Sequence, residues 1–413
     1  MRALLLMGAV ISGTMFTSCE DEPDKYEIAE GLPTVRYVRM TDPEVADSLI
    51  TGAYMSNTVC LVGENLRSVY ELYFNDQEAI LNTSLITDNT LIVDVPSTIP
   101  SVVTNKIYLV NKDKDTVTYD FNVLVSGPEI TSMSNEYAQP GTEATIYGDY
   151  FIDDPNVPLS IKIGDVPVTE IKSLTRYAVS FVVPQGVSTG YVNVESIYGT
   201  GQSTFRYMET EGILFDFDDD GDEAIAKDHG WHPATIGTLE NIPSLDGEYL
   251  IFKGNLDNNS WEDSKFSFEY WPDGDAVTPY LNTLVDFEDL SNLQLKFEVN
   301  VPDAWSACAL QIMLTTNDEV SGANMNNSFF QSDSFPRALW IPWQSEGSYT
   351  TAGWTTVTVP LSDFCYNSTG IAVSPLSATD ITGLTLFVYA GGVTGTACTP
   401  TICIDNIRVV PIY

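Results

Sequence analysis

The chain is organised as short segments in which apolar and polar side chains alternate. Residues 293–300 place Leu, Leu, Phe and Val at every second position, and residues 310–314 repeat the pattern. A period of two puts alternate side chains on one face, which predicts half-buried β-strands. Apolar runs at 354–361, 384–389 and 402–410 predict further strands, and Gly, Pro, Asn and Asp separate these segments. The pattern predicts an all-β protein.

An internal repeat divides the first half of the chain into two similar units. A strand pattern ends at Gly63 and again at Gly148, and each glycine is followed by an acidic residue. A second landmark, an apolar strand closed by proline, occurs at Pro96 and again at Pro184. The nearly constant spacing predicts two tandem β-sandwiches, over residues 33–126 and 127–209. Residues 210–413 are long enough for a third, larger sandwich.

The amino terminus has the features of an export signal. Arg2 precedes an apolar run that is too short to span a bilayer, and residues 1–18 end in small residues before Cys19. This junction resembles a bacterial lipobox, which implies lipidation of Cys19. The alternative is an ordinary secretory signal in which Cys19 has no role. Residues 19–32 begin with an acidic run and are predicted to form a flexible tether. An acidic run after the lipidated cysteine also resembles an outer-membrane surface signal.

The composition excludes several classes of function. Lys and Arg number 18 against 57 Asp and Glu, which gives a formal net charge of −39. Nucleic acid is excluded as the main partner because its phosphates require clustered cations. The chain has two histidines, His229 and His232, which leaves little room for a His-rich metal site or a Ser-His-Asp triad.

Specific motifs carry a resemblance to a known family. Residues 128–208 resemble the immunoglobulin-like IPT/TIG domains through Pro128-Glu129-Ile130, Pro140-Gly141-Thr142 and the closing Phe205-x-Tyr207. Residues 33–126 fit the same pattern less closely. The third region resembles jelly-roll carbohydrate-binding sandwiches through Gly353-Trp354-Thr355 and Ile404-Asp405-Asn406-Ile407. The whole layout resembles the surface glycan-binding proteins of polysaccharide-utilisation systems, which include xyloglucan-binding members.

The resemblance implies a fold and a function together. The fold would be two tandem immunoglobulin-like (IPT/TIG) sandwiches followed by a larger jelly-roll carbohydrate-binding-like β-sandwich. The protein would be a non-catalytic lipoprotein anchored in the outer membrane at the cell surface. It would bind a neutral β-linked polysaccharide such as xyloglucan, another β-glucan or mannan. Its implied companions are a TonB-dependent transporter and that transporter's glycan-binding lipoprotein partner.

Aromatic side chains are the candidate glycan contacts, because a sugar ring stacks its apolar face on them. All seven tryptophans lie in residues 210–413. We expect Trp231, Tyr270 and Trp271 to face solvent, because each adjoins a turn signal. Further candidates are Trp261, Trp305, Trp343 and Arg337. The alternative for each tryptophan is packing in the core, the role that we assign to Trp354.

The acidic segment after residue 215 raises a second hypothesis. Asp216, Asp218 and Asp220 match the first half of an EF-hand loop, but Lys227 stands where the final Glu is needed, so an EF-hand is excluded. A structural Ca²⁺ held by Asp218, Asp220 or Asp405 remains open, because some carbohydrate-binding sandwiches carry one. The alternative is a solvated acidic turn.

Two other functions are also open. A surface adhesin that binds a protein partner would use exposed aromatic residues in the same way. A glycoside hydrolase would need two carboxylates flanking the scissile bond, and no glycosidase motif marks such a pair.

Overall fold

A computed structural model describes residues 26–45, 48–219, 224–258, 260–320 and 329–412. Cys19, the signal and residues 19–25 of the tether lie outside these residues. The chain forms two compact units, Met1–Ser126 and Gly127–Tyr413. In the described residues, no helix is long and apolar enough to span a membrane.

The first unit contains one β-sandwich, here called the first module. Its sheets have the strand orders β2-β1-β4-β7, β6-β5-β8-β9 and β10-β3, and its core includes Leu61, Leu72 and Phe74. The strands are β1 (Thr34–Met40), β2 (Leu49–Ile50), β3 (Gly52–Tyr54), β4 (Thr58–Glu64), β5 (Glu71–Phe74), β6 (Gln77–Glu78), β7 (Thr90–Asp94), β8 (Lys106–Val110), β9 (Thr116–Asp120) and β10 (Asn122–Leu124).

The second unit begins with a similar sandwich, the second module. Its eight strands hydrogen-bond in the order β14-β13-β17-β18-β11-β12-β16-β15 around a core that includes Ile146, Phe181 and Tyr207. The strands are β11 (Glu129–Met133), β12 (Glu143–Asp149), β13 (Ser160–Ile163), β14 (Val166–Pro167), β15 (Ile171–Leu174), β16 (Ala178–Val182), β17 (Gly190–Ser196) and β18 (Gly199–Tyr207).

The rest of the second unit is the C-terminal sandwich. One sheet has the order β20-β21-β28-β23-β26 with β19 paired to β28, and the other has the order β22-β27-β24-β25. The strands are β19 (Ile213–Phe215), β20 (Ile236–Gly237), β21 (Tyr249–Lys253), β22 (Ser267–Tyr270), β23 (Leu293–Asn300), β24 (Ala309–Thr315), β25 (Ala338–Trp340), β26 (Thr355–Pro360), β27 (Gly383–Tyr389) and β28 (Thr401–Pro411).

Helical structure in the described residues is limited to single turns. The α-helical turns are α1 (Asp263–Phe266) and α2 (Asn317–Val320). The 3₁₀ turns are Pro43–Val45, Leu66–Ser68, Thr83–Leu85, Leu281–Thr283, Leu290–Asn292 and Leu361–Asp363. The five cysteines in the described residues form no disulfide.

The repeated glycine has the same structural role in both modules. A Cβ atom on Gly63 would lie 1.8 Å from the Thr34 carbonyl oxygen, and one on Gly148 would lie 1.7 Å from that of Glu129. Two positions later, Asn65 and Tyr150 both adopt a left-handed conformation, with φ of 56° and 60°. The following residues, Leu66 and Phe151, are then buried in the two cores. The repeat therefore encodes a close strand contact and a turn that returns an apolar side chain to the core.

The second module packs against the C-terminal sandwich through a buried ionic cluster. The Glu136 carboxylate contacts the ammonium of Lys296 and lies 2.7 Å from Arg408 Nη2. Arg408 also binds both carboxylate oxygens of Glu298, at 2.7 and 3.2 Å. Thr356 Oγ1 donates a hydrogen bond to Glu298 and accepts one from the Glu136 N–H. We call this surface, the outer face of β23, β26 and β28, the docked face.

The four charges of this cluster are matched to each other rather than exposed to water. Arg408 and Glu298 are fully buried, and Glu136 and Lys296 are nearly so. Burial by itself lowers the pKa of Arg408, but Glu298, Tyr137 and Glu136 offset this effect and leave that pKa above its ordinary value. The Tyr137 ring also lies 4.9 Å from the Arg408 guanidinium. Removing any one charge would leave its buried partner uncompensated.

Candidate functional site

The outer face of the other sheet is apolar and aromatic. Core side chains of β27 and β24 point inward at Leu386 and Ile312, which pair directly. The next positions therefore point outward, and they include Phe387, Tyr389 and Met313. An outer sheet face in contact with water normally carries polar residues. We call this surface the aromatic face.

Aromatic rings from the surrounding loops cover the aromatic face. Trp261 packs edge-on against Phe387 and Tyr389, with centroid separations of 4.9 and 4.8 Å. Phe330 contacts Trp261 at 6.0 Å and Phe387 at 5.5 Å, and it stacks on Phe329 at 4.3 Å. Trp261, Tyr389 and the neighbouring Phe335 remain partly exposed to solvent. The cluster is a small second core on the outside of the sheet.

A buried arginine holds the covering loop in place. Arg337 donates hydrogen bonds to the carbonyl oxygens of Phe329 and Phe330, at 2.7 and 2.8 Å, and to Gln311 Oε1 at 2.6 Å. Its hydrogen-bond acceptors in the described part of the chain are all neutral. Burial lowers the pKa of Arg337 to about 10. The side chain thus ties residues 329–330 to the sheet.

One tryptophan at the edge of this sheet is clearly exposed. Trp231 leaves 54% of its surface open to solvent. Its loop runs beside β22, where the His229 N–H donates to the Glu269 carbonyl oxygen and the Trp271 N–H donates to that of His229, at 2.9 and 2.8 Å. The Glu269 carboxylate accepts the Trp231 N–H at 2.7 Å. A Cβ atom on Gly230 would lie 2.3 Å from Glu269 Cβ, so only glycine permits this approach.

Polar side chains connect Trp231 to the aromatic face. His232 Nδ1 lies 3.2 Å from Glu269 Oε1, and His232 Nε2 lies 3.7 Å from Asp263 Oδ2. The Trp261 indole N–H donates to the same Asp263 oxygen at 2.8 Å. The edge of the sheet therefore presents two tryptophans separated by hydrogen-bonding groups. Stacking surfaces next to such groups are suited to sugar rings, which carry an apolar face and a rim of hydroxyls.

An open cleft of about 780 Å³ lies beside the same loop. Lys227, Asp228 and His229 line one part of it, and Val277 and Thr278 line another. The His229 ring is fixed there, because its Nδ1 atom lies 2.8 Å from the Trp271 carbonyl oxygen. Both histidines of the chain therefore serve the region around Trp231.

The expected exposure of Tyr270 and Trp271 is wrong. Tyr270 is the last residue of β22 and points into the core, where its ring packs against Phe215 at 5.1 Å. Burial raises the pKa of the Tyr270 hydroxyl, which donates to the Pro279 carbonyl oxygen. Trp271 points to the opposite face and is covered by Phe329, while its indole N–H donates to Thr385 at 2.9 Å. The turn begins only at Pro272, after β22 has placed Tyr270 and the hydrogen bond to His229 has fixed the main chain of Trp271.

Three further candidates are also buried in this structure. Trp305 and Trp343 lie in the core, and their indole N–H groups donate to the carbonyl oxygens of Ala307 and Cys308. Arg337 is inaccessible beneath Phe329 and Phe330. None of these side chains offers a free surface to a sugar in this conformation. Trp261 is intermediate, and Trp354 packs on Tyr249 at 5.2 Å.

The proposed metal ligands lie partly outside the described residues, which do not include Asp220. Asp218 follows β19, and Asp405 lies in β28. In the described part of the chain, no three His, Cys, Asp or Glu side chains converge as a ready-made metal cluster. Sequence reasoning missed Glu269, because an acidic residue inside an apolar strand gives no signal of the loop that it anchors.

Comparisons with known proteins agree with this architecture. Residues 207–411 match the model of the surface glycan-binding protein B xyloglucan binding domain, and residues 128–207 match the IPT/TIG domain. The chain is similar to surface glycan-binding protein PbSGBP-B from Prevotella bryantii, with 38% sequence identity and a TM-score of 0.78 to its crystal structure. The match covers 93% of this chain and 100% of that one. The chain belongs to the family of surface glycan-binding proteins.

A curated relative of this surface glycan-binding protein has the same kind of domain. It is an IPT/TIG domain-containing protein from Bacteroides ovatus, 28% identical over 376 residues, which cover 82% of this chain and 74% of the relative. The all-β fold, in which an IPT/TIG domain precedes a larger β-sandwich, is confirmed. The family resemblance that the sequence motifs indicated is confirmed as well.

Proposed function

We propose that this protein is a non-catalytic surface lipoprotein that captures a neutral β-linked polysaccharide through its C-terminal sandwich. Xyloglucan is the first ligand to test, because the family model that matches residues 207–411 describes a xyloglucan-binding domain. Other β-glucans and mannan are the next candidates. Lipidation of Cys19 would anchor the chain in the outer membrane. A TonB-dependent transporter and its glycan-binding lipoprotein partner would receive the captured glycan.

The exposed indole of Trp231 carries the proposal. A large aromatic face open to water loses little side-chain entropy when a sugar stacks on it. Glu269 fixes the main chain of Trp231, so the ring is presented from a supported loop rather than from a free one. The partly exposed Trp261 offers a second surface beside it.

The sheet continues from this edge to a second exposed aromatic residue. Arg337 pairs with Tyr366 beyond the β25 edge, and Tyr366 leaves 39% of its surface exposed. The four strands of the sheet lie between the loop at Trp231 and the Tyr366 segment. The loop and the segment are therefore five strand spacings apart, or about 24 Å. That width suits an extended oligosaccharide of several rings that crosses the strands.

The arrangement of Glu269 supports binding rather than hydrolysis. One carboxylate oxygen of Glu269 accepts main-chain N–H groups of the Trp231 loop, and the other faces His232 and Ser267. The side chain is also fully buried. Glu269 is therefore engaged in positioning the loop and is not free to transfer a proton to a glycosidic oxygen.

The test is affinity electrophoresis of the chain from residue 26 onward through gels that contain xyloglucan, mixed-linkage β-glucan or mannan. We expect retardation in one or two of these gels. Trp231→Ala should weaken binding by about 1–3 kcal/mol without unfolding the protein. Tyr54→Ala is the matched control, because Tyr54 is a similarly exposed aromatic residue of the first module.

Retardation that Trp231→Ala leaves unchanged would contradict the assigned site. No retardation in any gel, from a folded protein, would favour the adhesin hypothesis. Release of reducing sugar from the same polysaccharides would favour a glycoside hydrolase.

A further inference from the structure

The two accessible tryptophans at the edge of the sheet are held by carboxylates that share one histidine. His232 Nδ1 lies 3.2 Å from Glu269 Oε1, and its Nε2 lies 3.7 Å from Asp263 Oδ2. The Glu269 carboxylate accepts the Trp231 N–H at 2.7 Å. The Asp263 carboxylate accepts the Trp261 indole N–H at 2.8 Å. A continuous chain of contacts therefore runs from Trp231 through His232 to Trp261.

Both ring nitrogens of His232 face a carboxylate oxygen. A neutral imidazole has one N–H, so one of its two nitrogens must present a lone pair to an acceptor. A protonated imidazole has an N–H on each nitrogen and can donate to both carboxylates. The 3.7 Å separation at Nε2 is too long for a hydrogen bond, so this half of the bridge is the one that protonation would close.

In the described part of the chain, His232 is the only potential cation paired with Glu269 or Asp263. Lys265 lies in the same helical turn as Asp263, but it pairs with Glu262 at 3.2 Å. The other side chain that approaches the Glu269 carboxylate is the neutral hydroxyl of Ser267, at 3.4 Å. Glu269 is also fully buried, so solvent screens its interaction with the His232 ring only weakly.

The second histidine of the same loop has a different environment. His229 Nδ1 lies 2.8 Å from the Trp271 carbonyl oxygen, a neutral acceptor. Its Nε2 lies 3.7 Å from Asp273, whose side chain is 78% exposed to solvent. Neither of these acceptors is bonded to Trp231 or Trp261. A proton on His229 therefore does not join the groups that hold the two accessible tryptophans.

We infer that His232 is a positioning residue of the glycan site, and that its protonation joins Glu269 to Asp263 and strengthens glycan binding. The inference rests on the proposed function of Trp231 and Trp261 as stacking surfaces. A ligand that stacks on both rings needs them at a fixed separation, and the completed bridge removes motion that the ligand would otherwise have to arrest. Affinity should therefore rise as the pH falls through the range in which histidine ordinarily gains its proton.

The experiment runs the chain from residue 26 onward through the xyloglucan, mixed-linkage β-glucan and mannan gels at about pH 5.5 and about pH 8. Dissociation constants follow from the dependence of retardation on polysaccharide concentration. We expect roughly fivefold tighter binding at the lower pH, at the lower end of the usual range for coupled sites. His232→Gln cannot gain a proton and should bind equally at both pH values. Asp263→Asn keeps an acceptor for Trp261 but loses the charge, and should reduce the ratio to below about twofold.

Asp273→Asn is the matched control, because Asp273 lies at the same 3.7 Å from a histidine Nε2 and should leave the ratio at its wild-type value. Loss of the response in this variant would assign it to His229 and overturn the inference. A response that survives His232→Gln would overturn it too, and would point to buried acids such as Asp405 and Glu298, whose pKa values burial raises.

The failure of this inference is distinguishable from the failure of the proposed function. Wild-type binding that is equal at both pH values would overturn only the role of His232. Absence of retardation in every gel at both pH values would overturn the proposed function, and the inference with it.

Discussion

The two outer faces of the C-terminal sandwich are both buried, but by opposite chemistry. The docked face carries Lys296, Glu298 and Arg408, whose charges are paired with Glu136 of the second module. The aromatic face carries Phe387 and is covered by rings from its own loops. One face is therefore closed by a neighbouring module, and the other by side chains at whose edge Trp231 is exposed.

The two surfaces differ in how easily their contacts can rearrange. A buried ionic cluster has one favourable arrangement, since each displaced charge loses its partner without gaining water. Aromatic contacts are less directional, and a ring that leaves one neighbour can stack on another. The docked face is thus suited to fixing the position of the second module. The aromatic face is suited to contacts that form and break with a ligand.

The largest effect is expected on the docked face. Arg408→Met would leave Glu136 and Glu298 buried without their common partner, and should lower the free energy of unfolding by about 3–5 kcal/mol. Chemical denaturation monitored by tryptophan fluorescence measures this loss. Arg36→Met is the matched control, because Arg36 forms an exposed ion pair with Glu64. That change should cost only about 0–1 kcal/mol.

A cost for Arg408→Met as small as that of the control would show that the docked face depends on its apolar contacts. The second module would then be a spacer rather than a support. A fragment of residues 210–413 alone would expose Glu298 and Arg408 to water.

A smaller effect is expected on the aromatic face. Phe330→Ala removes a nearly buried ring that contacts Trp261 and Phe387, and should destabilise the protein by about 3 kcal/mol. This loss of stability is at the lower end of the range for a buried Phe→Ala change, because the neighbouring Trp261 is already partly exposed. Phe335→Ala, a partly buried neighbour in the same cluster, should cost less.

Glycan affinity must be measured on the same two variants. If Phe330→Ala leaves stability unchanged but raises affinity, the ring is a displaceable cover and sugars bind beneath it. If stability falls and affinity is unchanged, the cluster is a closed core and binding is confined to its edge.

The contrast between the faces also explains which features the sequence could predict. The alternation at 293–300 correctly assigns Leu295 and Phe297 to the core. The same alternation leaves Lys296 and Glu298 on the outer face, where the pattern cannot reveal that a second module covers them. Their burial depends on Glu136, which is 160 residues away from Lys296 in the chain.

The candidate glycan contacts show a similar limit. Trp231 and Tyr270 have equally strong turn signals nearby, but only Trp231 is exposed. Tyr270 belongs to a four-residue strand whose inward face is set by pairing with Leu384. Turn residues mark where the chain reverses, whereas exposure depends on which face of the strand each side chain occupies.

The smallest effect is expected at the far edge of the sheet, beyond β25. Tyr366→Ala should leave the free energy of unfolding unchanged, because the side chain is exposed and its strand contacts use main-chain atoms. If one glycan crosses from Trp231 to Tyr366, the variant should lose about 0.5–1 kcal/mol of affinity for long chains. An oligosaccharide too short to span about 24 Å should bind it and the wild type equally. Calorimetric titration with both ligands distinguishes these outcomes, with Tyr70→Ala of the first module as the exposed-tyrosine control. Equal losses for short and long ligands would instead place Tyr366 inside a single compact site, and no loss for either would limit the site to the edge at Trp231.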